Sequence, residues 1–447
     1  MKFLQSAILL IAGLAATQAL AWENHSMASY RAFEKMPEVV NASTVTVEPL
    51  EAFLRAEEST LEALLASQEA WAIANLERYP TCPMELAFNA DPSRSDHARR
   101  LAFLMALRVA PNSRFALYFE PDPWNPITGS AMAQGSVSTL RDSAGSSNKH
   151  LALKIGDTIS ALTVLATATD EPDYGLDINL WSDSSSEWGG VYGFGPQPFG
   201  NPALSFSTQA PFHMGFMHES RLLYLAAPFI KRTYPLLRSH QFSTLASLAF
   251  RTGHGYWGWR FAGLSLHYLQ DLTQPFHATL APSESTAKLL AANALAMAGL
   301  PRMKNDLVVL LSNRHLVFEK YLTELMQRSA ALQQEGDLEK ALHFQAKDHS
   351  YPDWSDRYLR DVVSRQASKA SNSLASNLVA AMPAAYVSDP SFDFASEEGN
   401  IKLLADTVRQ EKSERIRLDA ALAELMANFG AHSRNALRGI LRASTPP

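Results

Sequence analysis

The sequence predicts an all-α fold, a multi-helix bundle with almost no sheet. Apolar residues recur at helical spacing over residues 50–77, 97–109, 151–168, 219–234 and 306–332, and again through residues 337–447. The alternation of β-branched residues that marks a strand appears only at residues 45–47. Of the 447 residues, 47% are apolar and 19% are charged, so the chain can bury one large core. We therefore expect a single helical domain over residues 22–447, in which residues 337–447 form the C-terminal helices.

The N-terminus has the features of a secretory signal. Lys2 precedes an apolar run too short to span a bilayer, and Ala19-Leu20-Ala21 is a typical cleavage site. We expect cleavage after Ala21 and a secreted or periplasmic protein. Cys82 is the only cysteine, so the exported chain has no internal disulfide. The net charge of −6 excludes a general electrostatic attraction to nucleic acid or to anionic membranes.

One short motif carries the strongest chemical signal. His267 and Asp271 are four residues apart, so on a helix they lie on one face, one turn apart. Pro275 cannot continue that helix comfortably, and His277 follows just beyond it. Two imidazoles and a carboxylate are ligands that Zn²⁺ favours. A capped helix with two partly buried histidines would give the same pattern, so the metal interpretation depends on further ligands elsewhere in the chain.

Further candidate ligands occur along the chain. After cleavage, the amino group and carbonyl of Trp22 could chelate a metal in a five-membered ring, close to His25. The acidic turn at residues 170–177 offers Asp173, with Asp170 and Asp177 as alternatives, and the segment after it offers His213 or His218. His315 and Glu319 form a second helical pair four residues apart.

In its order of ligand types, the chain resembles the zinc-dependent phospholipase C superfamily, which also contains the single-strand-specific zinc nucleases. The resemblance rests on Trp22 at the cleavage point and on the HYLQD block with a histidine six residues after its aspartate. It covers residues 22–36 and 170–322 and leaves residues 38–150 as an insertion of unknown role. No β-sandwich lipid-binding module is visible in the C-terminal part.

The resemblance implies three zinc ions. Trp22 and His25 would hold the first, with Asp271 bridging to the second. Asp173, His213 and His267 would complete the second ion. His277, His315 and Glu319 would hold the third.

The implied activity is hydrolysis of a phosphodiester by metal-activated water, with Asp173 as general base. Glu319 at the last ligand position favours a phospholipase C that cleaves the glycerol–phosphate bond. The expected partners are a phospholipid or another phosphodiester substrate and, transiently, a membrane surface; no obligate protein partner is evident. One alternative is a single-strand zinc nuclease or nucleotidase in which aromatics of residues 181–212 stack on bases. The other is a non-catalytic helical protein with structural zinc.

Overall fold

Helices build nearly the whole chain, which a computed structural model describes over residues 24–140, 149–202 and 204–445. Of the structure, 62% is helix and 2% is strand, which confirms the all-α prediction. The expected signal, its cleavage site and Trp22 lie outside the described residues. Within the described ranges, no helix is both long enough and apolar enough to cross a membrane.

The described residues up to Ala278 form twelve α-helices, several of them single turns, and four two-residue strands. The helices are α1 (His25–Phe33), α2 (Pro37–Val40), α3 (Leu50–Ala56), α4 (Glu58–Asn75), α5 (Asp96–Leu107), α6 (Gln134–Val137), α7 (Ala161–Ala168), α8 (Ala210–His213), α9 (Arg221–Ala226), α10 (Pro235–Arg251), α11 (Gly255–Thr273) and α12 (Pro275–Ala278) among the described residues. The strands are β1 (Val45–Thr46), β2 (Tyr118–Phe119), β3 (Leu151–Ala152) and β4 (Thr158–Ile159). 3₁₀ turns occur at Met84–Leu86, Glu171–Tyr174, Ser205–Gln209 and Pro228–Lys231.

The described residues after Ala278 add eight α-helices and no strand. Its helices are α13 (Thr286–Met297), α14 (Arg302–Leu332), α15 (Asp337–Leu342), α16 (Arg365–Ala381), α17 (Ala384–Val387), α18 (Phe394–Glu397), α19 (Leu403–Thr407) and α20 (Lys412–Ser444). Two 3₁₀ turns, Gln345–Ser350 and Glu398–Asn400, and one π-helical turn, Leu359–Ser364, connect them.

Helix α11 lies at the centre of the bundle. It packs along α10, while α7 and α20 pack against other parts of its surface, and α1 contacts both α7 and α20. Every residue of α11 from Tyr256 to Thr273 is buried. Because a helix that is buried all round must satisfy each polar side chain within the protein, the polar residues of α11 need dedicated partners.

Residues 38–150 belong to the main core. Phe53, Leu61, Phe103 and Leu107 lie in the same apolar cluster as residues of α11 and α20. Two antiparallel strand pairs, β1 with β4 and β2 with β3, join this segment to the residues that follow it. The segment is therefore part of the packed structure on which the other helices rest.

Two predicted helices are wrong in part. Only Ala161–Ala168 is helical within residues 151–168, because Gly156 adopts a φ of 90° and the Asp157 carboxylate accepts the Lys154 amide in a turn between β3 and β4. Residues 219–234 form α9 and a 3₁₀ turn, since Pro228 interrupts the apolar pattern. The short strand expected at residues 45–47 is present as β1.

Gly263 allows α7 and α11 to touch. A Cβ atom there would lie 2.5 Å from the Leu165 carbonyl oxygen and 2.5 Å from Ala168 Cβ. We predict that Gly263→Ala lowers the free energy of unfolding by about 1–3 kcal/mol because the helices must separate. Gly135→Ala is the control, since its added Cβ would meet nothing within 4 Å. Urea unfolding measures both, and equal stability of the two variants would contradict the close-packing argument.

Candidate metal centre

Helix α11 and the turn after it place three candidate ligands. His267 and Asp271 lie one turn apart on α11 and are fully buried. The helix stops at Thr273, where the Gln274 side chain accepts the Phe276 amide and begins α12. His277 then projects from this short helix and is also buried. The helix break expected at Pro275 therefore brings His277 back beside Asp271, at 3.2 Å.

Asp271 faces histidines with both of its oxygens. Its Oδ2 lies 2.9 Å from Nδ1 of His213 and 3.2 Å from Nε2 of His267. Its Oδ1 lies 3.6 Å from Nε2 of His25 and 3.2 Å from Nδ1 of His277. One buried carboxylate thus separates two sets of imidazoles, an arrangement that allows it to bridge two ions.

Asp173 lies on the open side of this cluster. Its Oδ1 is 3.6 Å from Nδ1 of His213 and 3.7 Å from Nε2 of His267, and its Oδ2 is 3.9 Å from Nε2 of His25. The Asp173 side chain is 18% exposed, whereas the side chains of the three histidines are at most 5% exposed. Solvent therefore reaches the cluster at this carboxylate.

The two alternative aspartates of the acidic turn have other contacts. Asp170 accepts the backbone amide of Ser26 at the start of α1. Asp177 accepts hydrogen bonds from Arg238 and Tyr268 and lies 3.5 Å from Nε2 of His213, the imidazole nitrogen that points away from Asp271. Both aspartates thus support the ligands from outside the cluster.

His213 joins the cluster and His218 does not. His213 ends α8, and its Nδ1 lies 2.9 Å from Nε2 of His267. Nε2 of His218 donates to the carbonyl of Arg360 at the π-helical turn.

A further group lies beside His277. Nε2 of His315 is 3.2 Å from Nε2 of His277 and 2.9 Å from Oε1 of Glu319. His277 Nε2 and Glu319 Oε1 are 3.9 Å apart. Gln274 donates to Glu319 from 2.6 Å and helps to hold the carboxylate in place. His277 therefore connects this group to Asp271 through its other nitrogen.

These side chains could hold metal ions. Three sets of ligand atoms each lie within 4.8 Å of one another: His25, Asp173 and His267; His213, His267 and Asp271; His277, His315 and Glu319. Among the described residues, His25 Nε2, Asp271 Oδ1 and His277 Nδ1 are buried and have no hydrogen-bond partner. Leaving such atoms unsatisfied costs about 1–3 kcal/mol each. Imidazole nitrogens and carboxylate oxygens in this arrangement fit a metal ion.

A fourth set on the surface is different. Glu34, Glu335 and His343 also lie within reach of a common ion. Nζ of Lys35, however, lies 2.9 Å from Nδ1 of His343 and 3.7 Å from Oε1 of Glu335. The ammonium group of Lys35 therefore occupies the position that a metal ion would take, and this set is a salt-bridge network.

Outer hydrogen bonds orient two of the histidines. Nδ1 of His267 donates to the Thr169 carbonyl from 2.7 Å, and Nδ1 of His25 donates to Oε1 of Gln270 from 2.9 Å. Gln270 Nε2 in turn donates to Ser433 in α20. Since the proton is fixed on Nδ1, Nε2 of each ring is left as a lone-pair donor facing the cluster.

The outer residues were missed by the sequence analysis. Gln270 lies within the motif itself, three residues after His267, so its position on the helix was a usable signal. Ser433 lies far away in the sequence and carries no such signal.

The charges of the cluster are interdependent. Burial opposes ionisation of Asp271, but the nearby His267 and His277 outweigh it and hold the pKa of Asp271 well below its usual range. Burial also opposes the charged form of His213, but its contacts with the Asp177 and Asp271 carboxylates raise its pKa to about 10. For His315, burial lowers the pKa to about 4. The cluster without metal thus balances one firmly ionised carboxylate against protonated imidazole.

Comparisons with known proteins found no family model, no curated protein and no solved structure that matches the chain.

Gln270 offers a test of how the outer contacts support the ligands. We predict that Gln270→Met weakens zinc binding by about 10- to 100-fold, because His25 loses the acceptor that fixes its orientation. Gln68→Met is the matched control, since Gln68 is equally buried but bonds Gln241 and Thr244. Competition with a coloured chelator measures the affinities. Equal affinity in both variants would show that Gln270 does not position His25.

Proposed function

We propose that the chain is an exported zinc-dependent phosphodiester hydrolase of the phospholipase C class, acting on the glycerol–phosphate bond of phospholipids. The observation that supports it most is the position of Asp271, whose two oxygens face two sets of histidines, with the His277, His315 and Glu319 group beside them. Clustered ions of this kind clamp a phosphate and lower the pKa of bound water to about 7.

We assign the ligands as the sequence resemblance implies, although His25 also lies close to Asp173 and His267. Trp22 and His25 would hold one ion together with Asp271; the part of Trp22 rests on the sequence, because it lies outside the described residues. Asp173, His213, His267 and Asp271 would hold a second ion. His277, His315 and Glu319 would hold a third.

Asp173 is the residue that we assign to proton transfer. It is the most exposed of the described candidate ligands, at 18% of its side chain, so a water molecule can reach it. A carboxylate within hydrogen-bond reach of the attacking water can accept its proton. The deeply buried ligands exclude bulk water from the other sides of the cluster and keep the geometry fixed.

The nuclease alternative loses its main sequence argument. Five of the seven aromatic residues in this segment are in the core: Trp181, Tyr192, Phe194, Phe199 and Phe212 are at most 1% exposed. Trp188 and Phe206 are half-buried. Trp181, Phe194 and Phe212 pack against one another and against Tyr234. Base stacking needs exposed ring faces, so we favour a lipid substrate.

The two histidines near the end of α8 provide the main test. We predict that His213→Ala lowers zinc-dependent hydrolysis of short-chain phosphatidylcholine by at least about 100-fold, since even outer contacts of metal ligands cost 10- to 100-fold. His218→Ala, the control, keeps its activity because His218 contacts the Arg360 carbonyl outside the cluster. Zinc content and hydrolysis of single-stranded DNA are measured on the same preparations. Cleavage of DNA without lipid turnover would overturn the phospholipase assignment, and full activity of His213→Ala would overturn the metal centre.

The pH dependence gives a separate prediction. Metal binding needs deprotonated imidazoles, and free imidazole has a pKa of about 6.5, so zinc and activity are lost together below about pH 5. Zinc binding weakens as the pH falls, because each proton bound by a ligand histidine competes with the ion. A pH profile of hydrolysis with parallel zinc analysis checks it. Full activity at about pH 4, where free imidazole is protonated, would contradict the scheme.

A further inference from the structure

Helix α13 is apolar but exposed. From residue 286 to residue 301 its sequence has one charged residue, Lys288. Only Ala292 of the helix is buried, while Leu295, Met297 and Leu300 are 40–62% exposed. A helix on the surface of a globular protein normally turns its apolar side inward, and this one leaves much of it in solvent.

Helix α9 extends this exposed surface. Its Leu222 and Leu225 are 63% and 72% exposed. The two helices are neighbours, and the hydroxyls of Ser220 and Thr286 at their starts lie 3.3 Å apart. We name the α9–α13 face by its five exposed apolar side chains, Leu222, Leu225, Leu295, Met297 and Leu300. Clustered exposed apolar side chains mark interaction sites more often than chance.

A cleft runs between α13 and α14 at the edge of this face. Its volume is about 470 Å³, within the range of ligand-binding pockets, and its walls are mostly apolar. The apolar lining includes Leu295, Leu300, Met303, Leu307, Leu310 and Pro390; Lys288, Arg302 and Asp306 complete it. An apolar cleft with cations at its rim suits a molecule with an acyl chain and an anionic head.

Two exposed arginines lie beside the face although the chain as a whole is acidic. Arg221 begins α9 and is exposed, and the Arg302 side chain at the start of α14 is 94% exposed. Lys304 follows on α14, whereas Lys288 of α13 pairs with Glu284 at 2.6 Å. Arg302 lies 3.8 Å from the Asp306 carboxylate, and its exposed guanidinium can still contact a phosphate. Basic residues beside exposed apolar ones are the composition of helices that lie on anionic bilayers.

The face is attached to the segments that carry the candidate ligands. Glu219, just before α9, accepts the amide of Leu280, and the Gly215 amide donates to the carbonyl of His277 from 2.8 Å. Beneath α9 and α13, Phe216, Leu223 and Leu280 share one small apolar cluster. The face is therefore connected through short segments to the elements that carry His213 and His277.

We propose that the α9–α13 face docks the protein on a phospholipid bilayer that contains anionic lipid. Leucine and methionine side chains enter the boundary between head groups and acyl chains, while the surrounding arginines and lysines contact phosphates. The docking proposal rests on the proposed phospholipase function, because it adds that the enzyme finds its lipid substrate in a bilayer. Its physical basis is separate, because none of these residues is a candidate ligand.

Vesicle sedimentation tests the docking without catalysis. The protein, with a chelator present to prevent hydrolysis, is mixed with vesicles of phosphatidylcholine alone or of phosphatidylcholine with phosphatidylserine. We expect wild type to bind the mixed vesicles, and Leu222→Ser/Leu225→Ser and Leu295→Ser/Leu300→Ser each to bind about 10-fold or more weakly, given the apolar area withdrawn from water by each leucine. Val408→Ser/Ile416→Ser is the control, because those residues are equally exposed but lie in the C-terminal part of the chain. Arg302→Gln should reduce the gain from phosphatidylserine.

The outcomes separate this proposal from the proposed function. Face variants that hydrolyse monomeric short-chain phosphatidylcholine normally, but not vesicles, support both. Vesicle binding by wild type without any hydrolysis of either lipid keeps the docking and removes the phospholipase. Wild-type binding that the leucine variants do not change overturns the docking. So does concentration-dependent dimerisation in solution that the same variants abolish, since the face would then join two copies of the chain.

Discussion

The buried carboxylate of Asp271 is the constraint on which the structure depends. An ionised carboxylate removed from water is prohibitively unstable unless positive or donor groups surround it. Its pKa nevertheless lies well below the usual range, because burial is outweighed by His267 and His277. Those groups must come from several elements, since one helix can supply only one turn of neighbours. The helices α1, α8, α11 and α12 meet this requirement because each places a histidine beside Asp271.

The rest of the chain holds these helices in register. Ser26, next to His25, donates through its hydroxyl to Glu120, and the Tyr30 hydroxyl donates to the Glu120 carbonyl. Glu120 belongs to residues 38–150, the segment outside the family resemblance. Burial raises the pKa of the neighbouring Asp170 to about 8, so near neutral pH this carboxyl can keep a proton beside Glu120. The segment therefore fixes the start of α1, and with it one edge of the cluster, rather than serving as an appendage.

The sequence predicted what depends on local spacing and missed what depends on distant pairing. His267 with Asp271, and His315 with Glu319, follow from the helical repeat alone. The choice between His213 and His218 does not, because the conformation of residues 214–217 decides which histidine turns inward. The apolar spacing of residues 151–159 predicts a helix, but these residues contain strands whose partners lie more than 30 residues away, at residues 45–46 and 118–119. The hydrogen bond from Gln270 to Ser433 could not be predicted from the sequence either, because α20, which carries Ser433, has no recognisable motif.

The position of apolar residues matters more to the choice of substrate than their number. Two segments are rich in large apolar side chains, residues 181–212 and the pair α9 and α13. The first has the aromatic composition of a base-stacking surface, yet Trp181, Tyr192, Phe194 and Phe212 fill a core cluster with Tyr234. The second has aliphatic side chains of a kind common in any core, yet they face solvent. Flat rings that are buried cannot stack on bases, whereas exposed leucines beside cations match the chemistry of a lipid surface. Burial, which composition does not reveal, is thus the property on which our proposal of a phospholipid rather than a nucleic-acid substrate rests.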